Sequence, residues 1–177
     1  ATVSVSIYEV GTNNLYPSFT LNNTSTSLVN LGDICYTPDP NVIRIEEGIY
    51  ELNNVAIADH PGGYYMNYNT CCRNGIITNL STPTSDGITI FAMITDPSIG
   101  QNSSPDFGIY PPDAYFCINN IKIFNFPVTD ADGDSLVYSL VDPLDNATSS
   151  GTYPYYPSCV WFAGGGYSLA NICGGST

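Results

Sequence analysis

Basic residues are almost missing from this chain of 177 residues. Lys and Arg together number three against sixteen Asp and Glu, which gives a net charge of −13 at pH 7. A charge of that sign repels phosphate backbones and anionic lipid surfaces. No apolar run approaches the ~20 residues that a membrane-spanning helix requires. We therefore expect neither a nucleic-acid partner nor insertion into a membrane.

Helical patterns are missing as well. No window places apolar residues at i, i+3 and i+4, and strong helix formers are scarce. Gly, Pro and Asn recur about every 8–12 residues, the spacing of turns in β-sandwiches. Hydrophobic residues make up 43% of the chain, which is enough for a folded core. The sequence predicts an all-β protein, built from two immunoglobulin-like or jelly-roll-like sandwiches with almost no helix.

The predicted domains are 1–102 and 103–177, because DPSIGQNSSPDFGIYPPD between them is rich in Pro, Gly, Ser and Asn and has no periodicity. Asn74-Gly75 and Asp132-Gly133 predict hairpin turns, the first of type I′. The predicted strands are 2–10, 26–31, 49–58, 63–72, 76–80, 87–94, 115–128, 135–141, 159–163 and 167–172.

The opening stretch ATVSVSIYEV alternates, with Val3, Val5 and Ile7 on one face. No signal peptide or initiator Met precedes it, so we expect a processed N-terminus. The second domain ends before a sandwich is complete, and such a sheet accepts an added strand. We therefore predict that residues 2–10 are a donor strand for a neighbouring subunit. The alternative is an ordinary first strand paired within the first domain.

The six cysteines form no zinc pattern, and the single His60 cannot complete one. In an exported chain they predict three disulfides. Cys159 and Cys173 are close enough in sequence to join one hairpin. Adjacent positions on a strand face opposite sides, so Cys71 and Cys72 are expected to take different partners. The remaining cysteines, which are left for that pair, are Cys35 and Cys117.

The stretch TDADGDS places Asp130, Asp132 and Asp134 at alternate positions, and oxygen ligands in a loop suit Ca²⁺. The alternative is an Asp-Gly turn whose carboxylates accept hydrogen bonds from backbone N–H groups.

Catalytic patterns are weak. His60 lies in the turn DHPGG without a nucleophile motif. Glu46 and Glu47 are neighbours, so on a strand they face opposite ways. The sequence favours a protein that is not an enzyme.

Sites for covalent glycans are numerous, because five Asn residues begin an N-x-[ST] sequon. They are Asn22, Asn23, Asn79, Asn102 and Asn146.

Four phrases, EEGIYELNNV, HPGGYYMNYNTCCRNGIITNL, NSSPDFGIYPPDAYFCINN and VTDADGDSLVYSL, together resemble a module of secreted surface proteins of the Bacteroidota. Those proteins carry PKD-like or cadherin-like repeats and a gliding-motility-type sorting domain. The resemblance covers about residues 28 to 145. It implies an immunoglobulin-like fold, export by the type IX route, a structural or adhesive role, and an O-glycan at Ser135. Cysteines of such modules near Ile43 and Val141 are missing here, so the disulfide pairing differs.

The leading functional prediction is an extracellular structural subunit of a bacterial surface appendage or pilus-like filament, assembled from copies of itself. The alternative is a surface adhesin or lectin-like module that binds glycans or other surface proteins. In that case aromatic side chains would stack on sugar rings. The candidate aromatic residues are Tyr153, Tyr155, Tyr156 and Trp161.

Overall fold

The structure of the chain is a computed structural model. It describes residues 1–29, 45–108, 119, 121, 123, 125, 127–145 and 159–170. These residues form strands and loops with two short 3-10 segments, Pro97–Ile99 and Ala163–Gly165, and no α-helix is found among them. The all-β prediction is confirmed. None of the helical segments in the described ranges is long and apolar enough to cross a membrane.

Five strands form one sheet with the order β3-β2-β1-β4-β5. The pairings of β2 with β3, β1 with β4, and β4 with β5 are antiparallel. In the described part of the chain no second sheet packs on this one, so the two-sandwich arrangement stays a prediction. The strands are β1 (Thr2–Glu9), β2 (Leu15–Leu28), β3 (Glu46–Glu51), β4 (Tyr64–Thr70) and β5 (Ile88–Ile94).

A tight loop returns the chain from β1 to β2. The Asn13 N–H donates to the Glu9 carbonyl over 2.9 Å, and the Glu9 N–H donates to the Asn14 carbonyl over 3.0 Å. The Glu9 carboxylate accepts from the Thr12 hydroxyl and the Asn14 amide, and these bonds lower the pKa of Glu9 below its usual value. Gly11 and Asn13 adopt positive φ, which Gly and Asn tolerate best. The loop therefore places β2 beside β1.

The core of the sheet lies under β1 and β4. Val5 and Ile7 are buried on one face of β1, as the alternation predicts, and Tyr64 is buried on β4. The Tyr64 hydroxyl donates to the Ala58 carbonyl at 2.7 Å, so its polar end is satisfied. The ring of Tyr16 meets that of Tyr64 edge to face at 5.5 Å.

Two compact units divide the chain, and each draws on three separate stretches. One unit contains Ala1–Val3, Leu21–Val55 and Gln101–Val137. The other contains Ser4–Thr20, Ala56–Gly100 and Tyr138–Thr177. The units are thus interleaved along the sequence, whereas the prediction had two consecutive domains, 1–102 and 103–177.

The turn at Asn74-Gly75 differs from the predicted type I′ hairpin. Neither residue has the positive φ that this turn requires, and no strand forms at 76–80. The Asn74 side chain instead accepts from the Ile76 N–H, and the Asn74 carbonyl accepts from the Ile77 N–H. A side chain that bonds the backbone two residues later stabilises an Asx turn, which replaces the hairpin.

The later predicted strands also differ. No strand forms at 135–141, at 159–163 or in the described part of 167–172, while 115–128 lies mostly outside the described residues. Near Trp161 the pairing is reduced to one bridge with Leu80. Alternation alone does not make a strand, because a strand also needs a neighbour for its backbone groups.

Candidate functional site

The predicted donor strand lies in the middle of its own sheet. Ile7 of β1 pairs with Met66 of β4, and β2 occupies the other side. The β4 pairing covers Ser6 to Glu9 of β1. This arrangement within one chain fits the alternative of an ordinary first strand, and donation of residues 2–10 to a neighbouring subunit stays a prediction. The signal that could have shown this arrangement is Gly11-Thr12-Asn13-Asn14, a turn sequence between two β-type segments.

The predicted calcium residues form a turn. The Asp130 carboxylate accepts from the N–H groups of Asp132 and Asp134 at 2.9 and 3.0 Å, and the Asp132 carboxylate accepts from the Ser103 N–H. Gly133 has a φ of 80°. In the described ranges no group of three or more His, Cys, Asp or Glu side chains is placed to hold a metal ion. Calcium binding stays a prediction, and the melting temperature with and without chelator checks it.

The vicinal cysteines are bonded to each other in the structure, which corrects the expectation of different partners. That expectation assumed that Cys71 and Cys72 lie on a strand. Strand β4 ends at Thr70, so both cysteines lie in the segment after it and the opposite-face argument does not apply to them.

Cys159 is a free, buried thiol, in contrast to the predicted link with Cys173. Its N–H donates to the Pro143 carbonyl over 2.8 Å. Burial raises the pKa of the thiol, and the nearby Arg73 guanidinium opposes that effect. A thiol with a raised pKa stays protonated, so it is a poor nucleophile. The other partners of the predicted disulfides, Cys35, Cys117 and Cys173, lie outside the described residues.

His60 has structural contacts rather than catalytic ones. A ring nitrogen lies 3.0 Å from the Val10 carbonyl, and the ring packs against Tyr64 at 5.5 Å. Glu46 and Glu47 lie on β3 opposite Leu28 and Ser27.

The predicted glycan sites differ in exposure. Asn22, Asn102 and Ser135 are exposed, whereas Asn23 and Asn79 are half-buried. Asn23 is also bonded through its side chain to the Ser25 carbonyl and the Thr26 hydroxyl. Glycan attachment therefore fits the first three positions best. Asn146 lies outside the described residues.

Of the predicted sugar-stacking residues, the structure describes Trp161 alone. The Trp161 side chain is half-buried, and its ring N–H donates to the Asp142 carboxylate at 3.0 Å. The ring is thus fixed against its own chain. The three tyrosines, Tyr153, Tyr155 and Tyr156, lie outside the described residues.

Large apolar side chains are exposed in many parts of the described chain, and two uncharged segments contain several of them each. The first is the segment Ser135–Val141, where Val137, Leu140 and Val141 are 92%, 80% and 72% exposed. The second is β5, where Ile90, Phe91 and Met93 are 62%, 49% and 51% exposed. Water contact of this extent is unfavourable for large apolar groups, and contiguous exposed groups mark interaction surfaces. Each of the two segments is by itself a candidate interaction surface.

No family model, curated protein or solved structure significantly matches the chain. The resemblance to secreted surface modules therefore depends on the quoted sequence phrases alone.

Proposed function

We propose that the protein is an extracellular structural subunit of a bacterial surface appendage or filament, held together by β-strand contacts between copies. In this proposal it binds no substrate and performs no chemistry. Export and attachment to the cell surface follow the sequence resemblance and the acidic, Lys-poor composition.

The observation that carries the proposal is the exposed segment Ser135–Val141. Its sequence SLVYSLV has β-type composition, yet among the described residues it forms no strand. Val137, Leu140 and Val141 remain largely in water. A neighbouring sheet edge would supply hydrogen bonds to this segment and cover its apolar side chains, as in β-strand addition.

Charge supports the choice of this segment for subunit contacts. Copies of a chain with a net charge of −13 repel one another, so contacts are most favourable where carboxylates are missing. Ser135–Val141 contains no charged residue. A surface of this kind lets identical acidic subunits approach without burying like charges.

Electron microscopy of the purified full chain tests the proposal. We expect fibres or regular arrays from the intact protein. Leu140→Glu places a charge in the contact and should abolish them, whereas Ile76→Glu should not. The two positions are matched in exposure, at 80% and 82%. Exclusively monomeric protein, or assembly insensitive to Leu140→Glu, would contradict the proposal. Glycan-array binding by the monomer would favour the adhesin alternative.

A further inference from the structure

Strand β5 is an edge of the sheet with an unbroken register. All seven of its residues pair with β4, from Ile88 opposite Thr70 to Ile94 opposite Tyr64, without a bulge. Its backbone groups therefore alternate regularly between the β4 side and the outer side.

Two contacts determine which residues face outward. The Thr89 N–H donates to the Leu144 carbonyl, so the backbone N–H and carbonyl groups of Thr89 face away from β4. The Ile94 carbonyl lies close to Gly63, which immediately precedes β4. The backbone N–H and carbonyl groups of Ile94 therefore face β4. By alternation, the backbone groups of Phe91 and Met93 face outward. Among the described residues none accepts a hydrogen bond from either N–H group.

The side chains along this edge are apolar on both faces of the sheet. Phe91 and Met93 lie on one face and Ile90 on the other, all about half exposed or more. The sequence ITIFAMI contains no charge. Natural edge strands usually carry charges, Pro or a bulge that prevents pairing with another chain. Strand β5 has none of these features.

We propose that two copies of the chain pair through β5 in antiparallel orientation, with Ala92 on the two-fold axis. In this register Phe91 of each copy lies opposite Met93 of the other, and both present to the partner their outward N–H and carbonyl groups, which bond to no other described residue. Sulfur–aromatic contacts then form on one face. On the other face Ile90 meets Ile94. Pairing stops at Ile90, because Leu144 already occupies the outer side of Thr89.

The distribution of charge on the two sheet edges favours a second copy of the chain as the partner of β5. The opposite edge, β3, carries Glu46, Glu47 and Glu51, so its pairing with itself would place like charges across the ladder. Strand β5 is uncharged, and the proposed register makes it complementary to itself. Self-complementarity is the condition for an isologous dimer.

This inference deepens the proposed function, because it assumes the assembly by strand contacts. An isologous contact closes after two copies and cannot make a fibre alone. A second contact, at Ser135–Val141, is needed to join the dimers.

Disulfide trapping in the full chain tests the register. In the proposed register Ala92 of one copy lies opposite Ala92 of the other, in a non-hydrogen-bonded pair. Their Cα atoms are then about 4.5 Å apart, a distance that a disulfide can span. The two copies of Ile90 lie about 13 Å apart along the strands. Under mild oxidation Ala92→Cys should give a covalent dimer, while Ile90→Cys and the native chain should not. Equal trapping of the two variants, or none from Ala92→Cys, overturns the register.

Sedimentation of variants tests the contact itself. The Leu140→Glu chain, in which the filament contact is removed, should sediment at twice the monomer mass. Adding Phe91→Lys to it should give a monomer, and the further variants are made in the same Leu140→Glu chain. Met93→Pro removes an outward N–H, which an edge strand tolerates, and should also give folded monomers. Ile99→Lys, at another exposed apolar side chain, should leave the dimer intact. A monomeric Leu140→Glu chain, or a dimer that persists after Phe91→Lys is added with an unchanged circular dichroism spectrum, overturns the proposal.

The outcomes separate this contact from the proposed function. If fibres form and survive Phe91→Lys, the β5 contact is wrong and the filament proposal stands. If the intact chain forms trapped β5 dimers and nothing larger, the filament proposal is wrong and this contact stands.

Discussion

At the scale of single residues, Ile7 on β1 is among the most deeply buried apolar side chains, with 3% exposure. Truncation of a buried Ile to Ala removes packing and leaves a cavity. We predict that Ile7→Ala lowers the free energy of unfolding by about 2–5 kcal/mol.

The matched control is Ile99→Ala, because Ile99 is 82% exposed. It should change the free energy of unfolding by less than about 0.5 kcal/mol. Urea unfolding of both variants checks the prediction. Equal effects would show that β1 is not part of the chain's own core.

A second residue-scale prediction concerns Asp96. Its carboxylate accepts from the N–H groups of Ser98 and Gly62 at 2.8 and 2.9 Å. The Ser98 side chain, as the largest cause, and then the Gly62 and Ser98 N–H groups stabilise the carboxylate and hold the pKa of Asp96 below its ordinary value of 3.8. In the unfolded chain Asp96 then binds a proton at higher pH than in the folded protein. Its stabilising effect is complete above 3.8 and is lost as the pH falls through the lowered folded value.

We therefore expect Asp96→Asn to lose less stability than the native chain when the pH is lowered through this range. Urea midpoints at pH values above and below 3.8 check it. Identical acid dependence of Asp96→Asn and the native chain would contradict the assignment.

At the scale of elements, Gly63 shows how β4 starts beside the end of β5. Its φ is +77°, and a Cβ there would collide with the Ile94 carbonyl. Gly11 has a similar φ of +88°, but a Cβ there would meet nothing within 4 Å. Both Ala variants incur the left-handed strain of about 1–2 kcal/mol. Gly63→Ala should cost more, because it also separates the two strands. Thermal unfolding of the pair measures the difference, and equal costs would disprove the close approach.

A further prediction at the scale of elements concerns the deletion of strand β1. Because it lies between β2 and β4, deletion of Ala1 to Val10 should remove the centre of the sheet and abolish folding. Circular dichroism and loss of a cooperative melting transition check this. A donor strand would behave differently, since its deletion leaves folded monomers that no longer polymerise.

At the scale of the whole molecule, net charge opposes self-association. Each copy carries −13, while the β5 contact is uncharged. Salt screens the repulsion over a Debye length of about 8–10 Å at 0.1–0.15 M, and it leaves the apolar contact in place. We predict that the dimeric fraction rises with ionic strength, as measured by sedimentation. A fall with added salt would indicate that ion pairs hold the copies together.

The all-β class followed from the local sequence, and so did the strands near 2–10, 63–72 and 87–94, whereas β2 begins at Leu15, well before the predicted 26–31. Alternation in β1 predicted the burial of Val5 and Ile7, because side chains of a strand alternate between two faces. It could not determine which strands pair. That depended on the loop from Gly11 to Asn14, which returned β2 to β1.

Where apolar residues remain in water depended on contacts between distant parts of the chain. Val3–Ile7 and Ser135–Val141 both have β-type composition, yet the first became the centre of a sheet and the second formed no strand and stayed exposed. Period-2 patterns define two faces, whereas burial depends on the neighbour that the chain path supplies. The outward direction of Phe91 and Met93 likewise followed from the contacts of Thr89 with Leu144 and of Ile94 with Gly63, which no local pattern contains.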